Sequence, residues 1–465
     1  MAGSNDGEAA AGAAEVWDRE HRPLTIGLLL TVSFSAFEAL AVTTVLPKAV
    51  AEIGGLAYYG WAFSGFVLAS VIGITFAGHS ADRRGAASPF AVGVAFFLVG
   101  LLGAGMAPTM PLLVAARVLQ GLGSGAISAV AYASVSRGYA SAARPRMIAL
   151  LSTAWVVPGL AGPAVAGAVA DTMGWRWVFF GLAPPTAVAA TIAWTSLRRL
   201  GAVADEERKA GASGGDRRMF AFVLASGIGA LLSGLDRPDE PSALVVAAVG
   251  LILAVAAAAR LLPAGSLRGR AGPPAAVAVM AVLGFTYFGA EAFVPLALTE
   301  VRGLGATLAG LPLTVASLAW TAGAWVQEHA APTRSHRVLV GAGLAMIATG
   351  IVGVAAVLSP AVPVWMTGVA WGISSFGMGL AYSTAALAIL EGGGAGEAGE
   401  VSAALQLANM LGTAVGTGLG GALLDAILET DRPLAAGIGA VHALMATVAV
   451  AGLLLARRVP RGTTT

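Results

Sequence analysis

The chain has 465 residues, 57% of them hydrophobic and 11% charged, with a mean hydropathy of +0.81 and a net charge of +2. A soluble chain carries about a quarter charged residues, so this composition excludes a water-soluble globular enzyme and points to a polytopic α-helical membrane protein. The absence of cysteine excludes disulfides, thiolate metal sites and thiol catalysis.

The elements follow in order. Residues 1–23 are polar, lack an apolar run, and are expected to form a disordered cytoplasmic tail rather than a cleaved signal peptide. A first group of six apolar spans occupies 24–197, at 24–46, 60–78, 88–107, 112–136, 147–170 and 175–197. A polar connector, "RRLGAVADEERKAGASGGDRR" (198–218), reads as a cytoplasmic linker. Two further spans, 219–234 and 242–260, stand between this group and a second group of six over 274–456. The members of the second group are 274–298, 305–326, 337–358, 362–390, 401–425 and 433–456, followed by a cytoplasmic tail at 457–465. Span 219–234 is the shortest of the fourteen. The 63 glycines and 22 prolines would break soluble helices but are common in transmembrane ones.

Charge placement orients the spans. With the N-terminal tail cytoplasmic, the other side holds only Lys48, Arg176, Arg237, Arg302 and Arg432. Every other loop cation falls on the cytoplasmic side, which places both termini in the cytoplasm. The stretch "GHSADRRG", residues 78–85, then becomes a cytoplasmic turn between helices 2 and 3. Gly78 and Gly85 are expected to permit the turn and His79 to be a turn residue. Asp82 is expected to pair with Arg137, Arg144 or Arg146 or to accept from a helix N-terminus.

Three ionisable residues remain deep in spans: Glu38, Arg117 and Glu291. Each costs about 2.5–3.5 kcal/mol at a helix centre on the insertion scale, which argues for a role in a hydrated path. Helical spacing puts Arg117, Gly121, Ser124, Ser128 and Tyr132 on one face, and Gly284, Tyr287 and Glu291 on another. Gln406, Asn409, Thr413 and Thr417 form a third polar stripe. Desolvation disfavours a carboxylate anion, which would suit the two glutamates to proton exchange. The other histidines, His21, His329, His336 and His442, are placed at or near helix ends or in loops, without metal-ligand spacing.

These motifs resemble the major facilitator superfamily, and within it the fourteen-helix drug:proton antiporters. "GHSADRRG" resembles the signature between helices 2 and 3, with Gly78, Asp82, Arg83 and Gly85 in place. "RVLQGLGSGA" resembles the helix 4 motif, and Arg117 falls on its buried arginine. "WVVPGLAGPAVAG" resembles the helix 5 antiporter motif, matched by Gly159, Gly162, Pro163 and Gly167. "WRWVFF" (175–180) matches the entry to helix 6, and "FEALAVTTVLP" the helix 1 motif, with Glu38 where aspartate is usual. Ala86 and Ala87 depart from the basic residues that normally continue the first signature, and Gly181 and Leu182 stand where an asparagine is expected.

The resemblance implies two pseudo-symmetric six-helix bundles plus two inserted helices, fourteen in all. It also implies a multi-pass protein of a bacterial plasma membrane and proton-coupled efflux of small amphipathic or cationic compounds by alternating access. The 78–85 cluster would latch the halves on the cytoplasmic side. Glu38, Arg117 and Glu291 are the expected proton-coupling residues. Gln120, Ser124, Ser128, Trp155, Tyr287, Gln406 and Asn409 are the expected substrate-cavity residues. Besides substrate, protons and the lipid bilayer no partner is expected, neither nucleic acid nor cofactor nor metal, and the working unit is a monomer. The competing reading is a proton-coupled carrier of one metabolite, natural product or lipid. A non-transporting receptor would leave the embedded charges unexplained, and no nucleophile–base pair or phosphate-binding loop supports an enzyme.

Overall fold

The computed structural model describes residues 16–140, 142–200, 215–237, 240–391 and 398–462. Fourteen helices within it are long and apolar enough to cross a membrane, and the described residues contain no strand. They are α1 (Arg22–Ile53), α2 (Tyr59–Arg84), α3 (Ala87–Met106), α4 (Met110–Gly138), α5 (Arg144–Thr153 and Val156–Thr172), α6 (Arg176–Arg199) and α7 (Gly215–Leu235). The others are α8 (Pro241–Leu261), α9 (Pro273–Val301), α10 (Ala306–Ala330), α11 (His336–Ala356), α12 (Met366–Glu391), α13 (Ala398–Leu428) and α14 (Leu434–Ala456). Because their number is even, α1 begins and α14 ends at one end of the molecule, here termed the terminal face.

The short span 219–234 is longer than its apolar run. Helix α7 has 21 residues, about 31 Å at 1.5 Å per residue, because it recruits Asp216, Arg217 and Arg218 from the expected linker. Asp216 in the first turn suits the positive end of the helix dipole.

Packing repeats with an offset of eight helices. In the first half α2 packs on α4, α3 on α4 and α6, and α1 on α5 and α6; in the second α10 packs on α12, α11 on α12 and α14, and α9 on α13 and α14. Small residues make the matching seams possible. A Cβ on Gly121 of α4 would lie 2.1 Å from the Phe66 carbonyl oxygen of α2, and one on Gly379 of α12 would lie 2.1 Å from that of Trp320 in α10. Two further seams, α2 on α13 and α5 on α10, join the halves and are related by the same offset.

Helices α7 and α8 break this symmetry. They pack on each other, and α7 lies on α2 and α13. An apolar cluster including Leu68 and Val71 of α2, Leu224, Ile228 and Leu232 of α7 and Leu411 of α13 holds them there. The inserted pair thus covers one inter-half seam and leaves α5–α10 without such cover.

Candidate functional site

At mid-depth in the first half, Arg117 of α4 reaches Glu38 of α1, and both are 1% exposed. Nη1 donates to Glu38 Oε1 and, at 2.6 Å, to Gln120 Oε1, while Nε donates to the Ala62 carbonyl of α2 at 3.1 Å. The guanidinium also lies over the Phe66 ring, 4.2 Å from its centroid. One arginine therefore ties three helices together. Glu38 Oε2 and Gln120 Nε2 are buried without a hydrogen-bond partner, so the network is satisfied on one side only.

The second half carries Glu291 in a different setting. The residue is partly exposed and forms no ion pair with any described residue. It lies beside Tyr287 and Trp371. Tyr287 stacks on Trp371 with centroids 4.9 Å apart and shares a 2.9 Å hydrogen bond with Ser375. Helix α9 is π-helical over Gly284–Phe288 and Ala297–Val301, and each wide turn shifts the register of the residues after it. The stripe expected from ideal spacing therefore divides: Gly284 abuts the Asn409 backbone of α13, whereas Tyr287 faces α12.

The halves meet closely at the face opposite the termini. Asp171, at the end of α5, pairs with Lys48 of α1 at 2.5 Å and accepts from the backbone N–H groups of Ala306 and Thr307 at 3.0 and 2.9 Å. It thereby caps α10 across the inter-half seam. The Tyr59 hydroxyl donates to the Ala292 carbonyl at 2.8 Å, and Ser64 and Thr417 share a 3.1 Å hydrogen bond.

The prolines of α5 contribute to this seam and to the packing of α5 on α1. Proline lacks an N–H, so the carbonyl four residues earlier loses its helical donor. Pro158 frees Ala154, whose carbonyl accepts from Ser33 of α1 at 3.0 Å. Pro163 frees Gly159, whose carbonyl accepts from Ser317 of α10 at 2.9 Å. Gly159 and Gly167 face Ser317 and Thr307 of α10, while Gly162 lies against Phe37 and Leu40 of α1.

Toward the terminal face the molecule opens into a cavity of about 790 Å³. Its lining includes Ile74, Thr75, Gly78 and His79 of α2, Ser128 and Tyr132 of α4, Arg217 and Arg218 of α7, and Gln406 and Met410 of α13. Of the expected cavity residues, Ser128 and Gln406 line it. Gln120 is sealed at 0% exposure beside Arg117, and Tyr287 at 2%. Ser124 bonds Ser35 of α1 at 2.7 Å, and Asn409 donates to the Met280 carbonyl of α9 at 3.4 Å. Trp155 sits at the break in α5, 46% exposed, and is not part of the cavity lining.

The "GHSADRRG" segment needs two corrections. Helix α2 continues through Arg84, so Gly78 and His79 are helical, and the turn is made by Gly85 alone, at φ +88°. Gly78 and His79 instead stand on the cavity wall. Arg137 donates to the Ala81 carbonyl at 3.0 Å, while Arg144 donates to the carbonyls of Tyr139 and Ser136 at 3.1 and 2.7 Å. The side chain of Asp82 lies outside the described residues, as does 201–214 of the linker. His442 is a third correction: it lies within α14, fully buried, with neither ring nitrogen hydrogen-bonded. No group of three or more metal-ligating side chains occurs among the described residues.

The helical fold is matched by the comparisons with known proteins. The profile of the Major Facilitator Superfamily matches residues 27–417. The chain belongs to this superfamily. An MFS-type transporter of Mycobacterium tuberculosis, itself named uncharacterized, is 27% identical over 438 residues, 89% of this chain and 61% of its own length. The chain thus spans about three-fifths of that relative. Multidrug resistance protein 3 of Bacillus subtilis is 28% identical over 157 residues, covering 34% of this chain and 31% of its own. Among solved structures, a bacterial homolog of the human lysosomal transporter Spinster, inward-facing and occupied, superposes with a TM-score of 0.68 at 16% identity, covering 96% of this chain and all of that one. The POT family transporter PepTSo gives 0.69 at 13% identity over 94% and 98% of the two chains. The protein is accordingly a multi-pass member of this superfamily, with fourteen helices long and apolar enough to cross a membrane among the described residues.

Several residues of these interhelical contacts left little trace in the sequence. Asp171 and Lys48 are visible as charges at span ends, but nothing local reports that they meet. Ser317 carries no signal at all, because its partner exists only where a proline on another helix has freed a carbonyl.

Proposed function

We propose that the protein is a proton-coupled antiporter that exports small amphipathic or cationic compounds by alternating access. The observation that carries this reading is the Glu38–Arg117 pair, sealed at 1% exposure between three helices. A proton on Glu38 removes the charge that holds Arg117, and Oε2, which lacks a partner, is the oxygen available to receive it. Released from Glu38, Arg117 would re-pair within α1, α2 and α4, the helices that must shift for the cavity to change sides.

The largely apolar cavity, with Arg217, Arg218 and Gln406 at its polar edge, suits an amphipathic compound. Loop cations concentrated at the terminal face support a plasma-membrane protein with both termini cytoplasmic, so the cavity would open inward. The Asp171–Lys48 lock would then close the outer face. The driving force is adequate: about 2.3 kcal/mol per proton at 100 mV plus about 1.4 per pH unit would sustain roughly a 500-fold gradient of a neutral compound.

Purified protein in liposomes loaded with a pH-sensitive dye tests the reading. Lipophilic cations and neutral drugs should evoke proton flux in the wild type and none in Glu38→Gln. Folded protein that gives no flux with any of them would end the broad-efflux reading and favour a carrier of one specific compound.

A further inference from the structure

The inserted helices do more than cover a seam, because α7 supplies part of the cavity wall. Helices α2 and α13 touch in the half of the molecule away from the termini, where a Cβ on Gly60 would lie 2.8 Å from the Gly421 Cα. Toward the terminal face the cavity separates them, and α7, which packs on both, brings Arg217 and Arg218 of its first turn to the lining. Among the described residues that line the cavity these are the only arginines, and none is a carboxylate. Arg218 forms no ion pair with any described residue, and its Nε is buried without a hydrogen-bond partner. A guanidinium nitrogen that has lost water and gained no acceptor favours a ligand that brings one. We propose that Arg218, on the cavity wall with Arg217, binds the head of an amphipathic organic anion. The site stands on the cavity itself, and only its transport role rests on the antiport reading.

The cavity is polarised from rim to floor. Arg217 and Arg218 open α7 at the terminal face, and His79 lies near the same end of α2. From His79 the α2 wall descends about 12 Å to Val71, where Leu407 and Met410 of α13 continue an apolar floor. The Arg218 guanidinium, 5.9 Å from the Phe76 ring centroid, is held on the α2 side. An anion with an apolar body satisfies both ends at once, head at the rim and body on the floor. An organic cation could use the floor but would meet two guanidinium groups at the rim. The volume of about 790 Å³ suits one drug-sized molecule. Gly78 leaves part of that space open, since a Cβ there would meet nothing within 4 Å.

Equilibrium binding of radiolabelled 2-naphthalenesulfonate, a permanent anion, to the full chain in phosphatidylcholine nanodiscs tests the site. Unlabelled anion should compete at least tenfold better than 2-naphthol or trimethyl-2-naphthylammonium, which keep the rings and change the charge. Arg218→Gln should weaken binding at least tenfold, and Gly78→Leu, which fills space without removing a charge, about fivefold. Arg218→Lys keeps the charge and should lose no more than about threefold, which separates loss of the site from loss of the fold. Arg260→Gln removes a cation of α8 outside the lining and should stay within twofold. Wild-type affinity in Arg218→Gln, or equal competition by the ammonium compound, overturns the proposal. The same head chemistry occurs on dissolved anions and on lipids, and lipid retention tells them apart. Phosphatidylglycerol that copurifies with the wild type and is lost in Arg218→Gln makes the occupant a lipid head; none retained makes it a dissolved anion. Naphthalenesulfonate bound without substrate-evoked proton flux keeps this site and removes antiport. Proton flux evoked by other compounds, with no naphthalenesulfonate bound by the wild type, does the reverse.

Discussion

Glu38 and Glu291 lie on helices related by the eight-helix offset, yet their surroundings differ in a way the offset does not explain. Glu38 is sealed and tied to a guanidinium that also grips a backbone carbonyl, a glutamine and an aromatic ring. Glu291 is partly exposed, without an ionic partner among the described residues, beside a wall of stacked aromatics. A repeated scaffold can therefore hold the same side chain in two electrostatic settings, one with a resident cation and one in which no described basic side chain pairs with it.

Stability should separate the two sites first, and by the largest margin. Arg117→Ala leaves a buried carboxylate unpaired, which costs about 3–5 kcal/mol, whereas Glu291→Gln breaks no described pair and should change stability by less than about 1 kcal/mol. Thermal melts of both variants in detergent measure the contrast, and equal losses would break it.

The two inter-half seams sharpen the comparison further. The α2–α13 seam is covered by α7 and α8, while α5–α10 depends on the Ser317 bond to Gly159 and on Asp171. Asp171→Asn removes the pair with Lys48 and weakens the cap on α10, together about 1 kcal/mol against the closed face. A single cysteine at Ser64, now sealed against Thr417, can be introduced cleanly because the chain has none. Its labelling by a membrane-impermeant maleimide added at the face opposite the termini should rise about fivefold in the Asp171→Asn background. No change would mean that the uncovered seam is held by packing rather than by this charge.

The smallest effects distinguish the two glycines of "GHSADRRG". Gly78→Ala sits in helix with nothing within 4 Å of the added Cβ, so it should stabilise by about 0.5–1 kcal/mol. Gly85→Ala must enter the left-handed region at φ +88° and should destabilise by about 1–2 kcal/mol. Melting temperatures moving in opposite directions would place the turn at Gly85. Destabilisation by both would restore the turn to Gly78.

Much of this was legible from the residues. Hydrocarbon admits only long apolar helices and makes embedded charge expensive, so all fourteen spans could be read from hydropathy, and Glu38, Arg117 and Glu291 were conspicuous. Where ideal helical spacing was extended too far, structure corrected it. The π-helical turns of α9 sent Gly284 and Tyr287 to different neighbours. Gln120 turned inward because the Arg117 guanidinium offered a nearer partner than the cavity. His442 is buried within α14 rather than at a helix end.

The sequence by itself determined that the chain crosses the membrane fourteen times and which rare charges enter it, because burying peptide groups and charges in hydrocarbon is a local penalty that each segment meets alone. Only the tertiary structure decided who partners whom. Arg117 and Glu38 are 79 residues apart, Ser317 finds Gly159 across 158, and Asp171 caps a helix in the other half. Those pairings depend on which helix faces which and at what depth, and that is fixed by the close packing of small-residue seams.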